Sequence, residues 1–130
     1  MRSKLLKLTL AVFGVVFCLL YPLSIIWPSG WAWHMGAPYE SDYFMMIVGI
    51  YATLGVFLIL ASRNPDANRS LIWFTVASSV VHAAIMAVLS FGRAGAMDHM
   101  GHLWGDVPAL LLVAIALSAL MLMPDKTSKA

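Results

Sequence analysis

The feature of this sequence that most constrains its fold is residues 70–91, a run of 22 residues that is almost entirely apolar. An α-helix rises about 1.5 Å per residue, so the run is long enough to cross the hydrocarbon core of a bilayer, which is about 30 Å thick. One ionisable side chain, His82, lies well inside it. Because such a residue is costly inside a membrane, its presence indicates a functional site by default.

Composition places the whole chain in the same class. The 130 residues are 62% hydrophobic and 11% charged, whereas a soluble domain is roughly 25% charged. We therefore expect an integral membrane protein with one domain, 1–130. The Lys and Arg residues stand at the ends of apolar runs and not on one face, which argues against a nucleic-acid partner. The single cysteine, Cys18, excludes an intrachain disulfide.

The apolar runs predict four membrane-spanning helices, at about residues 5–27, 43–62, 70–91 and 106–123. The first run exceeds the 7 to 15 residues of a signal-peptide core, so we expect a span that is retained. Pro22 should bend the last turn of this helix, because proline removes a backbone donor and crowds the preceding turn. Short connections make consecutive helices antiparallel neighbours, which predicts an all-α, up-down four-helix bundle.

The distribution of basic residues predicts the orientation, since cytoplasmic loops carry the excess of Lys and Arg. Seven of them fall on one side of the predicted spans: Arg2, Lys4, Lys7, Arg63, Arg69, Lys126 and Lys129. Only Arg93 falls on the other side, where Trp and Tyr residues between positions 27 and 43 resemble an interfacial belt. We expect a multi-pass protein of the bacterial inner (plasma) membrane with both termini in the cytoplasm. Its expected partners are the lipid bilayer and either a second copy of the chain or another membrane protein.

A first candidate site surrounds His82. His82 and Tyr51 lie at similar depths below the outer end of their helices, roughly 13 and 12 Å, so the two side chains can meet. Ser78 and Ser79 precede His82 by four and three residues and lie on the same side of the helix. The predicted ligand-binding residues are His82, Tyr51, Ser78, Ser79 and Asp106, with Thr53 as a further interior group.

Two structural alternatives to this site remain open at the level of sequence. Serine and threonine side chains in membrane helices commonly bond their own backbone carbonyls, and His82 would then be a neutral, hydrogen-bonded core residue. Asp106 precedes Val107 and Pro108, a pattern typical of a helix N-cap followed by an early proline. Asp106 is therefore either part of a ligand site or a cap of the fourth span.

A second candidate site is the outer loop with the sequence DHMGHLWGD, residues 98–106. On a helix, His99, His102 and Asp106 would point the same way, and imidazole with carboxylate suits Zn²⁺ while nearby thioethers suit Cu(I). His34 of the other outer loop could join them. Gly101 and Gly105 argue against a regular helix here. Metal handling at the outer face is the alternative function.

An intramembrane enzyme is a third hypothesis. Ser78, His82 and Asp106 are the residue types of a hydrolase triad, but two of them share one helix and the sequence has no G-x-S-x-G elbow. We assign no catalytic residue and identify no cofactor. The leading hypothesis is a non-catalytic, accessory membrane protein that binds a small ligand around His82.

Two stretches, GIYATLGVFLILASRNPDANRSLIWFTVASSVVHAAIMAV and GHLWGDVPALLLVAIAL, carry a resemblance. They resemble a family of short bacterial membrane proteins known only as a domain of unknown function. The resemblance covers residues 49–117, and RNPDANRSL, SSVVHA and GDVPALLL are its specific phrases. It implies a four-span bundle in the bacterial inner membrane and no particular activity. The chain is also loosely similar to DoxX-like proteins in size and hydropathy, without a shared motif.

Overall fold

A computed structural model describes residues 2–27, 38–92 and 101–124, and these parts of the chain are helical without any strand. Their six helices are α1 (Arg2–Cys18), α2 (Leu20–Ile26), α3 (Asp42–Ala61), α4 (Arg69–Gly92), α5 (Gly101–Trp104) and α6 (Asp106–Leu122). Short 3₁₀ turns at Pro38–Glu40 and Pro65–Asn68 precede α3 and α4. The predicted all-helical class is confirmed for these residues.

Several of the helices are long and apolar enough to cross a membrane. Three segments meet this criterion alone: Asp42–Ala61, Pro65–Phe91 and His102–Leu122. The pair α1 and α2 makes a fourth when it is taken as one bent span. Three or four such helices in so short a chain are typical of a membrane protein.

The first apolar segment is bent by 62° between α1 and α2. Helix α1 ends at Cys18, four residues before Pro22. Proline has no N–H to donate to the carbonyl of Cys18, and its ring crowds that carbonyl, so the regular ladder ends there. The sequence places the bend in the last turn of the segment, whereas the structure has it about one turn earlier, at Leu19.

The helices pack as two pairs. Helix α1 packs mainly against α3, and α4 packs mainly against α6, while α1 and α6 join the pairs. Direct contact between α3 and α4 is sparse. The centre of the apolar core consists of fully buried aliphatic side chains: Leu6, Leu10, Leu58, Ile72 and Leu117.

Gly14 of α1 and Gly55 of α3 meet where the two helices cross, and we call this contact the glycine crossing. A Cβ at Gly55 would lie 2.5 Å from the carbonyl oxygen of Gly14 and 2.8 Å from Sγ of Cys18. A Cβ at Gly14 would lie 2.7 Å from the carbonyl oxygen of Gly55. Both backbones therefore approach as closely as they do only because neither residue has a side chain.

The two ends of the molecule differ in character. At one end, Nη2 of Arg2 lies 3.5 Å from Oδ1 of Asp66, and Nη1 donates to the carbonyl of Met123, so the start of α1, the 3₁₀ turn before α4 and the end of α6 lie together. The opposite end carries exposed aromatic side chains: Trp27, Tyr39, Tyr43, Phe91 and Trp104. Trp31 and Trp33, which belong to the predicted aromatic belt, lie outside the described residues.

Candidate functional site

Tyr51 and His82 are joined by a hydrogen bond between α3 and α4. The hydroxyl of Tyr51 lies 2.5 Å from Nδ1 of His82, and the ring centroids are 5.7 Å apart. Tyr51 is near the middle of α3 and His82 is just beyond the middle of α4. The bond therefore lies well inside both membrane-length helices and connects two helices that otherwise have few contacts.

This pair has an unused donor whichever way the bond is polarised. A neutral imidazole carries one proton, so if Tyr51 donates to Nδ1 the proton of His82 is on Nε2. If Nδ1 donates instead, the hydroxyl proton of Tyr51 is free to turn elsewhere. Within the described parts of the chain, Nε2 of His82 makes no hydrogen bond. The pair can therefore offer one N–H or O–H group to a third molecule.

The ring of Tyr51 is held from the other side by Phe17 of α1. The two ring centroids are 5.1 Å apart with the planes at 90°, the edge-to-face geometry that aromatic pairs prefer. Tyr51 also packs against both apolar clusters of the core. These contacts fix the direction of its hydroxyl towards α4.

A second polar pair lies at the start of α6. Nδ1 of His102, in α5, is 2.7 Å from Oδ2 of Asp106, and the two residues are only 9% and 7% exposed. Asp106 is the first residue of α6. The N-cap position before it is Gly105, which has no side chain with which to cap the helix. Asp106 therefore does not cap the helix, and its side chain is occupied by His102 instead.

Within the described parts of the chain, only one oxygen of this carboxylate has a hydrogen-bond partner. Oδ1 of Asp106 is buried and lacks a partner among these residues. Buried polar atoms without a partner are rare, and each costs about 1 to 3 kcal/mol. The arrangement therefore leaves one strong acceptor available at the start of α6.

The two pairs lie beside the same apolar cluster. His82 directly precedes Ala83 and Asp106 directly precedes Val107, and both apolar residues belong to the cluster against which Tyr51 packs. Apolar residues of α4 and α6, Ala83, Val107 and Leu110, pack around Tyr51. We call Tyr51, His82, His102 and Asp106 the polar cluster.

Two other residues predicted for the ligand site, Ser78 and Ser79, lie on α4 one turn before His82. Ser78 donates to the carbonyl of Thr75, and Ser79 is buried on the face of α4. The expectation that Thr53 is an interior group is wrong: its side chain is exposed and donates to the carbonyl of Gly49. Serine and threonine in these helices thus bond their own backbone, as the structural alternative predicts.

The predicted metal ligands are only partly described. His102 belongs to the polar cluster, whereas His34 and His99 lie outside the described residues. Across residues 2–27, 38–92 and 101–124, no group of three His, Cys, Asp or Glu side chains is arranged to hold a metal ion. The metal site stays a prediction.

The sequence alone does not predict the positions of Phe17 and Gly14 or the contact between His102 and Asp106. Phe17 and Gly14 belong to the first apolar segment, where nothing in the local pattern distinguishes them from their neighbours. The pairing of His102 with Asp106 does have a signal, since the two are four residues apart. The same spacing also suits two metal ligands, so the spacing alone does not distinguish a metal site from a direct contact.

The fold and the polar cluster define a helical protein with membrane-length helices and a partly buried group of hydrogen-bonding side chains between them. The chain belongs to the family of unknown function DUF6632, which it matches over residues 1–128. The predicted membership of a family of unknown function is thereby confirmed. No curated protein and no solved structure matches the chain.

Proposed function

We propose that this protein is a non-catalytic, accessory membrane protein that binds a small ligand at the polar cluster. The observation that carries the proposal is the hydrogen bond between Tyr51 and His82, next to a buried carboxylate with an unused oxygen. The cluster combines a free donor and a free acceptor in an apolar setting, which suits recognition of a small polar group.

The proposal has a competitor in which the cluster only stabilises the fold. Hydrogen bonds between membrane helices contribute on average about 0.6 kcal/mol, because the separated helices find other partners. A buried acceptor without a partner costs more than that, about 1 to 3 kcal/mol. The described cluster contains the hydrogen bonds of Tyr51 with His82 and of His102 with Asp106, and one buried acceptor without a partner. The cost of that acceptor offsets much of what the bonds contribute, so stabilisation of the fold does not by itself account for the cluster.

We further propose that the four spans form an up-down bundle in a bacterial inner membrane with both termini in the cytoplasm. The bias of Lys and Arg towards one side of the spans supports this orientation. The contact of Arg2 with Asp66 and with the carbonyl of Met123 supports it as well, because it gathers the helix ends that carry the basic residues. The exposed aromatic side chains at the other end would then lie at the outer interface.

Native mass spectrometry of the purified protein tests the binding proposal. We expect a small molecule to remain bound to the wild type and to be lost from His82→Ala and from Tyr51→Phe, which removes only the hydroxyl. Val81→Ala is the matched control, since Val81 is next to His82 but 58% exposed. If both site variants kept the bound mass and the thermal stability of the wild type, the proposal would be wrong.

Metal handling is a second candidate function, and the pairing of His102 with Asp106 favours it. A carboxylate that binds one nitrogen of an imidazole orients the other nitrogen, as is common behind metal-binding histidines. Elemental analysis of protein purified without a histidine tag tests this candidate. Zinc or copper in a 1:1 ratio with the protein, reduced in His102→Ala, would support it, and its absence would remove it.

A further inference from the structure

The unused oxygen of Asp106 indicates what kind of group the polar cluster receives. Asp106 is 7% exposed, its Oδ2 is occupied by His102, and its Oδ1 is buried without a partner among the residues that the structure describes. An ionised carboxylate can only accept hydrogen bonds. The group that satisfies Oδ1 must therefore be a donor, and a charged donor forms the stronger bond.

The distribution of charge favours a positively charged donor. The polar cluster holds one carboxylate and no Lys or Arg; of its two histidines, His102 is already bonded to Oδ2 of Asp106 and His82 is bonded to Tyr51. The basic residues that the structure describes lie at the opposite end of the helices: Arg2, Lys4, Lys7, Arg63 and Arg69. A ligand that brings its own positive charge would balance Asp106, for which the described residues of the cluster supply no Lys or Arg.

We propose that the polar cluster binds a protonated primary amine, with an N–H group donating to Oδ1 of Asp106. The inference deepens the proposed function and rests on it. The hydrogen-bonded pair of Tyr51 and His82 orients the rest of the molecule through its remaining donor. Two sources supply this chemistry, the ethanolamine headgroup of a phospholipid and a free amine in solution.

The test uses the full-length protein in nanodiscs of phosphatidylcholine, to which ethanolamine or choline is added as its chloride salt. The two cations share a charge and a hydroxyl, but choline has no N–H. We expect ethanolamine to raise the melting temperature and to move the ¹³C signal of the Asp106 carboxyl, both with saturation, and choline to do neither. This comparison needs no variant and is unaffected by variants that fail to fold.

Two variants then identify the residue. Asp106→Asn should weaken ethanolamine binding about 10-fold or more, since a bond to a charged group contributes at least that factor. Asp42→Asn is the matched control and should bind as the wild type does. Asp42 is also the first residue of its helix, but its side chain is exposed.

Nanodiscs that contain phosphatidylethanolamine distinguish the two sources. If the headgroup is the ligand, these nanodiscs alone raise the melting temperature and added ethanolamine changes nothing more. If a soluble amine is the ligand, the lipid has no effect and ethanolamine still acts. Equal effects of choline and ethanolamine, or no effect of any amine source, would overturn the inference. If the amine tests failed but a copurifying molecule were still lost from His82→Ala and Tyr51→Phe, only the identification of the ligand as an amine would be wrong. If no such molecule were found either, the proposed function would be wrong as well.

Discussion

Helix α3 is held on two sides by contacts of opposite kinds. At the glycine crossing it meets α1 through bare backbone, with no side chain on either Gly14 or Gly55 and no room for one. On its other side it meets α4 through few contacts, among them the hydrogen bond from Tyr51 to His82. The first contact is dense and apolar, whereas the second is sparse and polar.

The difference indicates that the two contacts of α3 have different roles, one in packing and one in the candidate site. In a membrane, helices gain stability mainly from close packing of small residues, so the glycine crossing is the contact that fixes α3 in place. The polar contact contributes less to stability and leaves hydrogen-bonding groups unsatisfied, as expected of a site that binds a ligand. Tyr51 belongs to both, because its ring touches Phe17 of α1 and its hydroxyl touches α4.

The largest effect should come from filling the glycine crossing. Gly55→Ala should lower the free energy of unfolding by about 1 to 3 kcal/mol, because the added methyl overlaps backbone and must push α1 and α3 apart. Equilibrium unfolding in mixed micelles measures this. Gly49→Ala is the control on the same helix: nothing lies within 4 Å of its Cβ position, so the change should be neutral or stabilising by up to about 1 kcal/mol. Equal losses in both variants would mean that the crossing is not close-packed.

A smaller effect is expected at the polar contact. A double-mutant cycle of Tyr51→Phe and His82→Ala should give a coupling of about 0.6 to 1.7 kcal/mol, the range of hydrogen bonds between membrane helices. The same cycle with Val81→Ala in place of His82→Ala should give no coupling, because the side chain of Val81 is exposed. A coupling larger than the cost of Gly55→Ala would reverse the comparison between the two contacts.

The link between the two contacts can be tested through Phe17. Phe17→Leu should cost about 0.5 to 1.5 kcal/mol, because leucine keeps the apolar volume and loses the edge-to-face contact with Tyr51. It should also reduce the coupling between Tyr51 and His82 in the cycle above. Phe57→Leu serves as control on an exposed ring of α3. If the coupling stayed the same, Phe17 would not orient the hydroxyl of Tyr51.

The smallest effect should come from a contact that belongs to neither region. Asp66→Asn removes the carboxylate opposite Arg2, whose ion pair is exposed on the Asp66 side, and should cost at most about 0.5 kcal/mol. Unfolding at low ionic strength and in 1 M salt measures it, and the difference from wild type should shrink in salt. An effect as large as that of Gly55→Ala would show that the helix ends hold the molecule more firmly than the crossing does.

The lengths of the apolar segments and the depths of Tyr51 and His82 within them can be predicted from the sequence. The contacts between helices cannot. The long apolar runs predict helices, and a rise per residue is enough to put Tyr51 and His82 at the same level, where the structure joins them. The glycine crossing is different. Spacing within one helix is visible in a sequence, but Gly14 and Gly55 come from two helices, and which one faces which depends on how those helices rotate against each other.

Asp106 shows the same limit in the site. The sequence leaves two roles open for it, a cap and a ligand, because both need a carboxylate at the start of a helix. The choice depends on His102, which stands in a separate short helix beyond Gly105 and turns towards Asp106 only in the folded chain. The identity of a ligand is harder still to predict from the sequence, because whether an oxygen of Asp106 lacks a hydrogen-bond partner depends on which residues surround it in the folded chain.

The bend at Leu19 also determines how much of a bilayer the first apolar segment can cover. Unbent, a helix over residues 2–26 would be about 38 Å long, well beyond a hydrocarbon core of about 30 Å. With α2 turned by 62°, its seven residues advance only about 5 Å along the axis of α1, and the whole segment reaches about 30 Å. Taken as one span, the bent segment therefore matches the thickness of a hydrocarbon core without a tilt of α1 away from α3.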